Sequence, residues 1–144
     1  MKNTIKNIAS VTGIGLFSLF AIASVDDSPS ANVTTGQVTK AVAEYKVTAR
    51  EVAQAFDENE VAANLKYENK VGEVTGTISS ISKDFGSYNI MLNAIDFTGV
   101  VLRFDGDVAA ELAELKTGQR ITAKGMCDGM FGNVEFDSCV IIAK

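Results

Sequence analysis

The chain has 144 residues, 47% apolar and 22% charged, which fits one globular domain plus a processing segment. It contains no histidine, so the commonest general base and metal ligand is missing, no serine or cysteine has an imidazole to activate it, and neither catalysis, a cofactor nor a metal is expected. The net charge of −5 gives no overall attraction to phosphate backbones.

The N-terminus has the order of a secretory signal. Lys2 and Lys6 supply the positive start, Ile8 to Ala23 is uncharged and apolar, and Ala21-Ile22-Ala23 gives a small-residue cleavage pattern before Ser24, Asp26 and Asp27. Residues 1–23 therefore read as a signal peptide, with an uncleaved anchor over residues 8–23 as the rival, although about 20 apolar residues are needed to span a bilayer. Either way the protein is expected to be exported, periplasmic or secreted. No cysteine follows the apolar run, so lipid attachment has no support. Residues 24–47 mix Ser, Thr, Asp, Asn and Val around Pro29, the only proline, and read as a flexible spacer, with Ala41 to Tyr45 able to begin a local helix.

Thr48 and Glu51 form a capping box, which predicts a helix from there to about Leu65 with Val52, Ala55, Phe56 and Ala63 on its apolar side. Glu58 and Glu60 fall on its solvated face. Five strand-like runs follow. Lys70 to Ser82 alternates but is long for one strand, so a bend is expected at Gly76, where the missing Cβ permits a bulge. Lys83 to Ser87 is a turn, Tyr88 to Asn93 a second strand and Gly99 to Phe104 a third. Asp105 and Asp107 read as a turn and a helix cap rather than a calcium loop, because the remaining ligands are absent. Asp107 then caps a short helix over Val108 to Leu115, ended by Gly118. Arg120 to Cys127 and Asn133 to Ile142 complete the set.

Three strands, a short helix and two more strands, opened by a long bent strand, is the order of an OB-fold. The expected architecture is mainly β: a five-stranded OB-fold barrel over residues 48–144, with a leading N-terminal helix and a short helix between the third and fourth strands.

From Thr48 onward the chain resembles the tRNA-anti-like family of small exported bacterial OB-fold proteins. The resemblance is carried by Asn59-Glu60, Tyr67, Val74-Thr75-Gly76-Thr77-Ile78, Leu115-Lys116-Thr117-Gly118-Gln119, Lys124-Gly125-Met126-Cys127 and Cys139. It implies the fold and an extracytoplasmic setting, and it implies neither catalytic residues nor a particular ligand.

In an oxidising compartment the two cysteines, Cys127 and Cys139, are expected to form a disulfide across the last hairpin, worth about 2–3 kcal/mol. Their parities disagree, so a bulge near Gly125 or Gly129 is required. OB-folds bind on the face of strands two and three, between the first and last hairpin loops. That rule nominates Lys83, Phe85, Tyr88, Arg103, Met130 and Phe131. The aromatic rings can stack on bases or sugars, and the two cations can meet phosphate or carboxylate; the competing reading is that these aromatics only close the barrel ends. The expected function is a non-enzymatic binding module for an envelope protein, peptide or glycan, with an oligonucleotide as the alternative ligand.

Overall fold

The computed structural model describes residues 33–144; the expected signal segment and the first part of the expected spacer lie outside the described residues. Ten elements follow one another: α1 (Thr35–Lys40), β1 (Tyr45–Thr48), α2 (Ala49–Glu58), α3 (Glu60–Tyr67), β2 (Val71–Asp84), β3 (Ser87–Ile95), β4 (Thr98–Phe104), α4 (Ala109–Leu112), β5 (Arg120–Phe131) and β6 (Asn133–Ala143). The sheet runs β1-β2-β3-β4-β6-β5, and β2 also pairs with β5, which closes a five-stranded barrel. Helix placement and strand order match the OB-fold expectation.

Closure depends on β2 having two neighbours in succession. Val71 to Thr77 pair with β5, and Ile78 to Asp84 pair with β3. The ladder is irregular between Ile78 and Ser80, so the bulge falls just beyond Gly76 rather than at it. Gly76 serves a different purpose. A Cβ there would lie 3.0 Å from Ala49 Cβ and 3.0 Å from Leu92 Cδ1, so its absence lets α2 approach the strand. Val52, Ala53 and Phe56 of α2 are buried in the core, each large side chain worth about 1.5–3 kcal/mol of burial.

The leading helix forms where its capping box predicts. Glu51 N–H donates to Thr48 Oγ1 at 3.1 Å, and Thr48 N–H donates to Glu51 Oε2 at 2.7 Å. These bonds hold the Glu51 carboxyl below its usual range. The helix does not continue to Leu65, however. Asn59 takes extended backbone (φ −163°, ψ 93°), and its side chain accepts from Ala62 N–H at 3.1 Å, starting α3 afresh. Asparagine favours this outcome because its short amide can cap the next helix.

Residues 33–47, expected as mobile spacer, belong to the folded unit. Strand β1 runs parallel to β2 in the register Tyr45↔Gly72 to Thr48↔Thr75. A Cβ on Gly72 would collide with the Tyr45 ring, which in turn meets Tyr67 edge-on at 4.9 Å between centroids. No helix forms over Ala41 to Tyr45; the helix in this stretch is α1, which covers the outer side of β5 and β6. Val38 is fully buried there, Ser138 Oγ donates to Val33 O, and Lys124 Nζ donates to Thr39 O at 2.9 Å and Ala41 O at 2.8 Å. The polar composition concealed this because few residues, Val38, Tyr45 and Val47, carry the packing.

The helix between β4 and β5 is a single turn, shorter than expected. Its N-cap is Val108 with no side-chain bond, so Asp107 does not cap it. Leu112 and Leu115 are buried, and Gly118, expected to end the helix, adopts φ +88°.

Lys124→Met is expected to remove two charge-assisted bonds from a nearly buried ammonium and destabilise the protein by about 2–3 kcal/mol. Limited proteolysis should then cut at residues 33–43 before the barrel opens. Unchanged resistance there would mean that α1 is not held by Lys124.

Candidate functional site

The outer surface of β3, β4 and β6 carries alternate residues of each strand. Asn89 is paired with Arg103 across β3 and β4, Met91 with Val101, and Glu135 stands beside Val101 on β6. The intervening residues Ile90, Leu92, Val100, Leu102, Val134 and Phe136 fill the core. This alternation is the period of a half-buried sheet.

Arg103 dominates the face. Its guanidinium bonds Glu135 Oε2 at 2.8 Å and Asp137 Oδ1 at 3.3 Å. Asp128 adds to the field at Arg103, and Asp105 and Asp128 both add to the field at Asp137. Partial burial, with those acidic neighbours, leaves the Asp137 carboxyl above its usual range despite the arginine. Asp105, Asp128 and Asp137 line a depression of about 290 Å³ with Met126 and Ser138. Arg103 is thus already neutralised, and its surroundings are acidic. Asn89 Oδ1, next to Arg103 in the sheet, is buried without a hydrogen-bond partner.

The six nominated residues do not form one cluster. Phe85 (φ +47°) stands fully exposed at the β2–β3 turn. Phe131 is 87% exposed at the β5–β6 turn. The parallel pairing of β4 with β6 sets the Phe131 turn level with the start of β4, whereas Phe85 lies beyond its end. Six residues of extended strand separate these levels, about 20 Å, so the two rings bracket the face and cannot share one stacked group. Arg103 lies between them. Tyr88 pairs with Phe104 on the core side and is half-buried, with Lys83 Nζ 5.1 Å above its ring. Met130 pairs with Val134 and packs against the core.

Sequence reasoning missed Phe97, fully exposed at the β3–β4 turn with φ +69°. The signal was available: Asp96-Phe97 repeats the Asp84-Phe85 that precedes the first turn. It also missed Glu135 and Asp137 as partners of Arg103, because sequence spacing does not reveal a parallel β4–β6 pairing.

The expected Cys127–Cys139 bond is not formed, and both thiols are free and buried. The required bulges do exist. Asp128 is extra on β5, and Ser138 (φ +54°) with Cys139 stands opposite Gly125 on β6. Both thiols therefore turn inward. Cys127 is opposite Phe136, however, while a Cβ on Gly125 would meet Cys139 Sγ. The cysteines are therefore diagonal neighbours across the hairpin rather than directly opposite. Cys139 donates instead to Phe136 O at 3.3 Å, and Cys127 contacts the Tyr45 hydroxyl. Burial pushes the Cys127 thiol up to about 11 and Cys139 higher still.

A family model described as tRNA_anti-like matches residues 1–140. No curated protein matches the chain. Among solved structures, one described as a putative nucleic acid-binding lipoprotein from Klebsiella pneumoniae is 19% identical with a TM-score of 0.56, over 67% of this chain and 90% of that one. The S. pombe Stn1–Ten1 complex is 12% identical with a TM-score of 0.38, over 51% of this chain and 59% of that one. An OBody bound to hen egg-white lysozyme is 14% identical with a TM-score of 0.43, over 83% of this chain and 100% of that one.

Unfolded without reductant, the protein should take up two alkyl groups by intact mass, and almost none while folded; a single unreactive, bonded pair would overturn the free-thiol assignment. The native Cys127 stays protonated above the 9.0 of a free thiol, so its contribution to stability is complete below that pH and is lost as pH rises towards 11. Urea midpoints of the wild type should therefore fall more steeply over this window than those of Cys127→Ala.

Proposed function

The chain belongs to the tRNA_anti-like family, and from that premise we propose that it is an exported, non-enzymatic OB-fold module that binds an envelope protein or peptide across β3, β4 and β6. The observation that carries this reading is the state of Arg103, held between Glu135 and Asp137 with further carboxylates beside it. A phosphate chain crossing this face would have to displace two carboxylates from the arginine and lie against their charge. A polypeptide has no such difficulty. Its backbone donors can meet the carboxylates, and its basic side chains would be welcome. A glycan fits the hydrogen-bonding groups but gains nothing from the acidity.

Export rests on the basic, apolar and small-residue order of residues 1–23. The absence of histidine from the whole chain supports a binding role over a catalytic one. A second reading, single-stranded oligonucleotide binding, is favoured by one observation: the exposed rings of Phe85 and Phe131 stand at the two ends of the face, where bases could stack. The similar Klebsiella protein's description as nucleic acid-binding points the same way.

Salt titration separates the two. Phosphate contacts strengthen as salt falls, so an oligonucleotide ligand must be retained best at low ionic strength. The expected result with single-stranded DNA and RNA is no retention at any salt concentration. Retention with a steep salt slope, lost in the Phe85→Ala/Phe131→Ala double variant, would establish the second reading. That variant should keep the wild-type thermal midpoint, since both rings lie in solvent and such substitutions change stability by about 0.5 kcal/mol or less.

A further inference from the structure

We propose that the free edge of β2 between Ser79 and Asp84 is a docking site for an extended polypeptide segment, which adds to the sheet as a further strand and carries an acidic residue opposite Lys83. The topology opens this edge. The first half of β2 pairs with β1 and with β5, but the ladder with β5 ends at Thr77↔Arg120. Ile78 is met by the turn before β5, donating to Gln119 O and accepting from Gly118 N–H, both at 2.8 Å. The described backbone bonds on this side stop there. From Ser79 onward β2 is paired with β3 alone.

The register decides which groups the edge presents. Phe85 and Gly86 form a two-residue turn with φ of +47° and +95°, so Asp84 and Ser87 close the hairpin as a hydrogen-bonded pair. Hydrogen-bonded pairs alternate with non-bonded ones along an antiparallel ladder. Ser82↔Asn89 and Ser80↔Met91 are therefore the next bonded pairs, and Ile81 and Lys83 turn their N–H and C=O groups away from β3. Ser79 Oγ donates to Met91 O at 3.1 Å, so the bulge is tied to β3 and not across the edge. Ser80, Ser82, Lys83 and Asp84 are exposed. The edge thus offers donors and acceptors in the alternation and spacing of a polypeptide main chain.

The side chains narrow the occupant. Ile81 and Lys83 share the inner side of the ribbon. Ile81 is opposite the buried Ile90 and packs against the core, and Lys83 is opposite Tyr88, with its Nζ 5.1 Å over that ring. None of the ion pairs among the described residues uses Lys83. A strand laid against the edge sets one residue beside the open flank of Ile81 and another, two positions away, beside this ammonium. The first is best apolar and the second acidic. Lysine on an edge also deters indiscriminate pairing. Two copies joined antiparallel so that all these main-chain groups are bonded would bring their Lys83 ammonium groups diagonally together on one face, where like charges oppose each other. The occupant is therefore a segment of another protein. Antiparallel addition is the more stable arrangement, so its acidic residue precedes its apolar one.

Amide hydrogen exchange of the full chain tests the edge itself. Ser80 and Ser82 should be protected by β3, while Ile81 and Lys83 exchange about a hundredfold faster; slow exchange at both would overturn the proposal. A capped, threonine-rich peptide with glutamate two residues before valine should then slow both amides and shift their NMR signals saturably. N-methylation of the peptide's valine, which removes a pairing donor, should weaken binding by about tenfold. Lys83→Gln should weaken it by about threefold at an unchanged thermal midpoint, and Phe131→Ala should leave it unaltered. Equal binding of the N-methylated peptide, an affinity indifferent to Lys83→Gln, or shifts confined to β4 and β6 would each overturn the proposal. So would protection of Ile81 and Lys83 that rises with protein concentration alone, which would make the occupant a second copy. The β2 edge does not rest on the reading of the β3–β4–β6 face. An oligonucleotide retained by that face with the Ile81 and Lys83 amides unchanged would end that reading and leave this one standing.

Discussion

The barrel exists because one strand is shared between two partners. β2 gives Val71 to Thr77 to β5 and Ile78 to Asp84 to β3, and without both ladders the sheet would stay open along two unpaired edges. Sharing imposes a local requirement. The strand must bend where the partners change over, and α2 must press on it there, since the bend brings the interior side chains against the helix. Gly76 meets the second demand and the bulge around Ser79 the first. Closure then fixes everything attached to the strands. It sets β4 parallel to β6, and that pairing brings Arg103 to Glu135 and Asp137 from distant parts of the chain.

Much of this could be read from residues alone. Alternation, turn glycines and the Thr48–Glu51 box located the barrel strands and the leading helix, because each is written in local periodicity or capping chemistry. What escaped was decided by tertiary contact. The Asn59 break has a visible capping residue but no loss of helical propensity around it. Strand β1 is four residues long and is stabilised by the fit of Tyr45 over Gly72, not by any pattern of its own. Lys124 reads as a surface charge in a strand, yet its ammonium caps the end of α1, which lies over the same outer face of β5. At the candidate site, Phe85 and Phe131 were legible as turn residues, but neither their separation, the exposed Phe97 nor the neutralisation of Arg103 was, since each requires knowing which strands are neighbours.

The cysteines illustrate how a one-residue irregularity changes chemistry. Counted from the Met130–Val134 pair, a regular β5–β6 ladder would set Cys127 opposite Asp137 and turn both Cys127 and Cys139 outward. One bulge on each strand turns both inward. The consequence is a pair of thiols protected by burial rather than by a bond. Gly125 is part of this arrangement, since any side chain there would occupy the space that Cys139 Sγ fills.

The distribution of aromatic residues completes the argument. Phe56, Phe104 and Phe136 are buried, while Phe85, Phe97 and Phe131 all stand in solvent at hairpin tips. Two of those three adopt the left-handed backbone that a β-carbon resists. A tip selected only for turning would use glycine or asparagine there, and the cost of φ > 0 would vanish. Phenylalanine at such positions gives up hydrophobic burial and backbone comfort together, and neither loss is recovered within the barrel. On the binding role proposed above, a ligand that covers the rings would recover the burial. Because Phe97 and Phe131 share one end of the face and Phe85 holds the other, the barrel offers two separate apolar footholds, with an acidic strip between them. That spacing suits an extended polypeptide better than a compact small molecule.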